Sequence, residues 1–305
     1  MISHKKVGRT ALERIAGVAL LRAALLVAGI PGIARAQVGA RNFYDPLITY
    51  DANPSNELTL DPGWVRTSSG DQAAFSFSLE KEITDNFSIM LGESLSDTTR
   101  RRVQGSSGID NMEVLFKWAY YMNVEHELRL AVGLDTFAPV GDINSGAGGH
   151  WRGGPMLLMS KGAGDIPDRG FMHYLRPFAL QMDAAYLPRW TGTQLDITEF
   201  DAAISYELDY LAASGTHFPG ESFLRPLVFF NEFNYAQVPW GFTGTTPPDW
   251  RATPGIAYLT RYYEIEMGTQ LGLNNLSIAS THAAALFEFD LYYDQLWPQL
   301  GPMFQ

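Results

Sequence analysis

The sequence predicts an all-β protein, a single antiparallel transmembrane β-barrel of about twelve strands of the outer-membrane type. The clearest observation is the stretch TEFDAAISYELDYL, residues 198–211, in which Phe200, Ala202, Ile204, Tyr206, Leu208 and Tyr210 alternate with Glu199, Asp201, Ser205, Glu207 and Asp209. Successive side chains of a strand point to opposite faces, so this pattern gives one dry and one wet face. A helix would spread the carboxylates around its circumference. The second observation is length, because a tilted membrane-crossing strand needs roughly 9–11 residues while soluble strands cluster near about five or six. The third is charge: wherever the alternation recurs, the polar face is mainly carboxylate. A water-filled lumen tolerates that face, whereas a secreted soluble β-sandwich, the competing fold, mixes both signs on shorter strands.

At 305 residues and 46% hydrophobic content the chain suits one large β domain or two ordinary ones. Beyond the N-terminus, no run is long and apolar enough for a spanning helix. With no Cys, disulfides, thiolate metal sites and cysteine nucleophiles are excluded. Residues 1–36 read as a secretory signal peptide: Lys5, Lys6, Arg9 and Arg14, then the apolar AALLVAGI, then Ala34-Arg35-Ala36 before Gln37. Without it, residues 37–305 carry 16 Lys/Arg against 32 Asp/Glu, a formal −16. So acidic a body is a poor partner for nucleic acid, which is bound by clustered Lys and Arg.

In chain order, residues 37–55 read as a polar, proline-broken periplasmic lead-in, and residues 56–293 as the barrel. A first strand over 56–67 is interrupted by Asp61-Pro62-Gly63, and a hairpin follows through the turn Thr84-Asp85-Asn86. A second long hairpin runs from Met112 through the turn 123–126 to Asp135, and a weaker strand covers 156–159. Further strands are expected over 174–187, 198–211, 223–236, 251–259, 263–271 and 283–293. Pro298 and Pro302 make residues 294–305 a short tail beyond the barrel. If the first strand runs outward, the short connections fall on the periplasmic side and the long ones outside, as such barrels require. The long periplasmic connections 161–173 and 212–222 break that rule.

The wet faces supply the candidate lumen-lining residues: Glu80, Lys117, Arg129, Asp135, Asp183, Glu199, Asp201, Glu207, Asp209, Glu232, Glu264, Glu266, His282, Glu288 and Asp290. Glu113 and Glu127 are the expected ion-pair partners of Lys117 and Arg129. Tyr120-Tyr121, Tyr262-Tyr263 and Tyr292-Tyr293, with Trp190 and Trp240, suit interfacial girdles. Other chemistry is thin. The Gly-rich GAGGHWRGGP, residues 146–155, lacks the Lys-Ser/Thr and helix of a phosphate loop, and Arg100-Arg101-Arg102 reads as a solvated loop tip. Ser280-Thr281-His282 is the close hydroxyl–histidine cluster that a lipid hydrolase would need. His126, His150, His173, His217 and His282 lie in scattered segments without ligand spacing, so neither metal nor cofactor is expected.

FYDPLITYDANP, SLEKEITDNFSIMLGESLS, GIDNMEVLFKWAYYMN with HELRLAVGLDTFAPVGD, YYEIEMGTQLGL and DLYYDQLWPQLGPMF together resemble the outer-membrane barrels grouped under the MetA pathway of phenol degradation. The resemblance covers most of the chain after residue 36. It implies a porin-like channel or transporter in the outer membrane of a Gram-negative bacterium, passing small solutes, aromatic ones among them, and no catalytic residues. Outer-membrane lipid, a small-molecule solute and the barrel assembly machinery are the implied partners. Two other functions compete: a lipid-acting enzyme using Ser280 and His282, and a structural or docking barrel plugged by its own side chains.

Overall fold

The computed structural model describes residues 37–38, 41–67, 70–100, 105–142, 149–191, 196–237, 248–280 and 283–304. The signal peptide, Trp240, Thr281 and His282 therefore lie outside the described residues, as do residues 146–148 of the glycine-rich stretch and most of the Arg run. Twelve long strands make the fold: β1 (Glu57–Arg66), β2 (Gly70–Thr84), β3 (Phe87–Arg100), β4 (Met112–Asn123), β5 (Leu128–Ala138), β6 (Arg152–Gly162), β7 (Phe178–Leu187), β8 (Ile197–Glu207), β9 (Leu227–Gln237), β10 (Asp249–Leu259), β11 (Tyr263–Gly272) and β12 (Ala283–Tyr292). Each pairs antiparallel with its successor, and β12 pairs with β1 from Ala283↔Arg66 to Tyr292↔Glu57, so the sheet closes into a barrel. A short strand, Ser106–Ile109, adds to the outer part of β3. Closure leaves no edge whose backbone groups would need water.

Alternation decides which side chain faces which solvent. On β11, Glu264 and Glu266 are buried inside while Ile265 and Met267 stand on the outer wall. Leu79, Leu91, Leu134, Leu157, Phe229 and Phe287 stand there too, Leu157 being 61% exposed. Each such residue would gain roughly 1.5–3 kcal/mol on leaving water. A continuous outer wall of them is the surface of a protein solvated by hydrocarbon, far beyond the patches that soluble monomers expose. Among the described residues no helix is long and apolar enough to cross a membrane, so the strands do the crossing.

Aromatic pairs gather toward both ends. We call the end at which β1 begins the near end. At the far end Trp151 stacks on Trp190 with centroids 6.2 Å apart, and Tyr235 lies 4.6 Å from Trp250. At the near end Phe178 meets Tyr206 edge to face at 4.8 Å. Tyr292 departs from its expected girdle place: it is buried inside, and its hydroxyl donates to Glu264 at 2.9 Å.

The two long near-end connections carry structure of their own. A 3₁₀ turn, Gly170–Leu175, occupies the first; helices α1 (Leu208–Ala213) and α2 (Glu221–Leu224) occupy the second. Residues 174–177 and 223–226 are therefore not strand, and β8 stops at Glu207 instead of running on to Leu211. His173 ties the connections together, with Nδ1 2.5 Å from Asp168 Oδ1 and Nε2 2.5 Å from Thr216 Oγ1. The C-terminal tail folds back on the β2–β3 hairpin: Lys81 Nζ donates to the Leu300 and Gly301 carbonyls, both at 2.6 Å.

Candidate functional site

The candidate site is the barrel interior, and its main occupant is the segment expected to lie outside it. Residues 41–56 run within the barrel, so the periplasmic lead-in becomes an internal plug. The physical reason lies in its backbone. A proline-broken segment with almost no sheet of its own still has N–H donors to satisfy, and the inward carboxylates accept them. Glu264 Oε2 accepts from the Asp45 amide at 3.2 Å, and Asp183 Oδ2 accepts from the Tyr50 amide at 2.8 Å. Glu232 Oε2 takes three donors: the Ile48 amide (3.1 Å), the Thr49 amide (2.8 Å) and the Thr49 hydroxyl (2.9 Å).

Two buried cations fasten the plug. Arg41 donates to Glu127 Oε2 at 2.9 Å and to Glu207 Oε1 at 2.8 Å, and its guanidinium lies 4.1 Å from the Tyr210 ring centroid. Gly162 makes room for this cluster, since a Cβ there would run into the Glu127 carboxylate and the Arg41 side chain. Deeper in the chain, Lys117 Nζ meets Asp51 Oδ1 at 2.7 Å, the Asn53 carbonyl at 2.8 Å and Glu80 Oε2 at 3.1 Å. Apolar contacts complete the seat. Tyr44 stacks on Phe230 at 5.1 Å, and Ala52 packs among Met90, Leu115, Met156 and Leu158.

Of the predicted lumen residues, Glu80, Lys117, Asp183, Glu207, Glu232 and Glu264 hold the plug. Asp135, Glu199, Asp201, Glu266, Glu288 and Asp290 occupy inward positions beside them, with Asp201 accepting from Asn234 Nδ2 at 3.0 Å. Arg129 sits toward the near rim, where its Nη2 is 3.0 Å from Met122 Sδ. Asp209 is not in the lumen. It lies on α1, outside the strand, and pairs with Arg225. The expected pairs Lys117–Glu113 and Arg129–Glu127 do not form either, because Glu113 accepts from the Tyr50 hydroxyl at 2.6 Å and Glu127 belongs to Arg41. The hydrolase cluster at Ser280 and His282 falls on side chains outside the described residues. The sequence reading missed Arg41, Asp45, Asp51 and Glu57; only Glu57 carried a strand-alternation signal, since the other three stand in the irregular lead-in.

Beside the plug, along β1 to β4, runs a cavity of about 680 Å³ that reaches His150 and Arg152 toward the far end. Met90, Phe137, Leu187 and Ile197 give it an apolar side, and Asp61, Glu113, Glu199 and Glu288 an acidic one. At the near end, the imidazole of His173 holds the Asp168 carboxyl below the usual carboxylate range. Lys161 and His126 do the same for Asp165.

No protein-family model and no curated protein sequence matches this chain. Among solved structures it is similar to the KdgM porin at 11% identity, covering 76% of this chain and 98% of that one with a TM-score of 0.44. An outer membrane channel from Pseudomonas putida F1 is 12% identical over 82% of this chain and 99% of its own, with a TM-score of 0.47. Outer membrane phospholipase A from Escherichia coli is 12% identical over 86% and 98%, with a TM-score of 0.39. At such identities the likeness concerns the barrel and not what the barrels do.

Proposed function

We propose that the chain is an outer-membrane channel for small solutes whose near half is closed by its own N-terminal segment. The observation that carries this reading is the 680 Å³ cavity lying between plug and wall inside a barrel with an apolar outer face. Its acidic side favours cationic and neutral solutes, because one-signed charge between low-dielectric walls concentrates counter-ions. Its apolar side of Met90, Phe137, Leu187 and Ile197 suits a flat ring, which is what the resemblance to phenol-pathway barrels would require. The planar-bilayer conductance of refolded chain tests the reading, compared with a variant lacking residues 41–55. The expected result is low conductance in the parent and a larger, cation-selective conductance in the deletion. A folded deletion variant that conducts nothing would favour the competing structural barrel, and one that prefers anions would overturn the acidic-lumen account of selectivity.

A further inference from the structure

The interior holds more carboxylates than its cations neutralise. Asp45 from the plug and Glu288 and Asp290 from β12 present carboxylate oxygens that all lie within 4.8 Å of one another. Asp290 is fully buried, and among the described residues its carboxylate pairs with no cation, only the Thr59 hydroxyl standing opposite it in the β12–β1 ladder; Glu288 Oε1 has no hydrogen-bond partner. A separate residue makes the same point. Glu266 stands opposite Glu288 in the β11–β12 ladder, is 0% exposed, and has no donor on either oxygen except its neighbour Glu264. Its neighbour Glu264 stands opposite Asp290 and uses Oε2 for the Asp45 amide and the Tyr292 hydroxyl. Arg41 and Lys117 make their direct ion pairs with Glu127, Glu207, Asp51 and Glu80, so neither pairs directly with this group.

Buried anions without a counter-charge are costly, and a positive ion compact enough to sit among several oxygens would answer them. We propose that Asp45, Glu288 and Asp290 form a site for one hard divalent cation of the calcium class, with Glu266 completing its negative surroundings. The donor set is oxygen alone, as such ions demand. Calcium–oxygen bonds of about 2.3–2.6 Å let two ligand atoms stand up to about 5 Å apart, so the ion fits this spacing without moving the ladder. One ligand belongs to the plug and two to the wall. The cation is therefore a latch, and its removal loosens the segment that closes the near half. The site stands on its own geometry and does not depend on the channel reading.

The test uses the full refolded chain in detergent, stripped with a chelator and titrated calorimetrically with calcium chloride. One calcium ion per chain is expected, together with a thermal unfolding midpoint that rises with calcium concentration. Glu288→Gln/Asp290→Asn should weaken binding by about 100-fold or more, as loss of direct ligands exceeds the tenfold to 100-fold effect of outer-shell changes. Should that variant not fold, Asp45→Asn alters only the plug and should lose the calcium response while the barrel keeps its heat-dependent gel shift. Absence of binding at millimolar calcium in the parent would overturn the proposal. Equal binding in parent and folded variants, the signature of ions held at the detergent surface, would overturn it as well.

Discussion

Arg41 Nη1 lies 2.8 Å from Glu207 Oε1, and both side chains are almost wholly buried. The pair joins the plug to the last residue of β8, across 166 positions of sequence. β8 ends at this residue. With Glu207 turned in to Arg41, the chain bends into α1, and Tyr210 from that helix covers the guanidinium and donates to Glu127 Oε1 at 2.8 Å.

Arg41→Met leaves Glu127 and Glu207 buried without their cation, and breaking one side of such a pair costs about 3–5 kcal/mol. The expected outcome is a folded barrel whose plug is loosened, with the unfolding midpoint lowered in urea and residues 41–56 newly open to protease. A plug as resistant as the parent's would show that Arg41 does not anchor it.

Lys117→Met should be comparably destabilising, because Asp51 and Glu80 lose their shared partner. Adding Asp51→Asn and Glu80→Gln to that variant should restore most of the loss. Urea titration of the three proteins, read by gel mobility of unboiled samples, checks both halves of the argument.

Gly162→Ala places a methyl group against the Glu127 carboxylate and Arg41. Overpacking of this kind costs about 1–3 kcal/mol. The effect should shrink in the Arg41→Met background, where the guanidinium is gone and the Glu127 carboxylate is freed from its ion pair. A double-mutant cycle on unfolding free energy reads that coupling directly.

The tie between the near-end connections should weaken in acid. His173 depresses the Asp168 carboxyl in the folded chain, so the stabilisation is present above the unfolded value of about 3.9. It is lost as pH falls through the lower folded value. Protection of the Met172 and Thr216 amides, relative to their intrinsic exchange rates, should therefore hold down to about pH 4 and fall below it. His173→Gln should leave exchange fast at every pH.

Selectivity in the open form should follow the acidic side of the cavity. Glu113→Gln/Glu199→Gln in the plug-deleted barrel should move the reversal potential in a salt gradient toward zero. An unchanged potential would place the selective charges elsewhere.

The strands were legible in the sequence because alternation is a local property: Glu264 and Glu266 against Ile265 and Met267 is sufficient to tell inside from outside. The antiparallel order followed from the turns, and the number of strands from counting alternating runs. Where the alternation was weak, as over 156–159, the strand proved longer than its pattern, since pairing with β5 and β7 carries Arg152 to Gly162 whatever their polarity. Asp209 shows the opposite failure: the alternation continues through it, but the strand ends at Glu207 and the chain turns into a helix. The plug was invisible for a related reason. Residues 41–56 have no period, and their partners lie as far away as 219 positions, so no window of sequence contains both halves of an interaction such as Asp45 with Glu264. The sequence by itself determined that the barrel would have an acidic interior. Only the tertiary structure decided that this interior binds its own N-terminal segment, because buried carboxylates and unpaired backbone amides satisfy each other only once the barrel has closed around them.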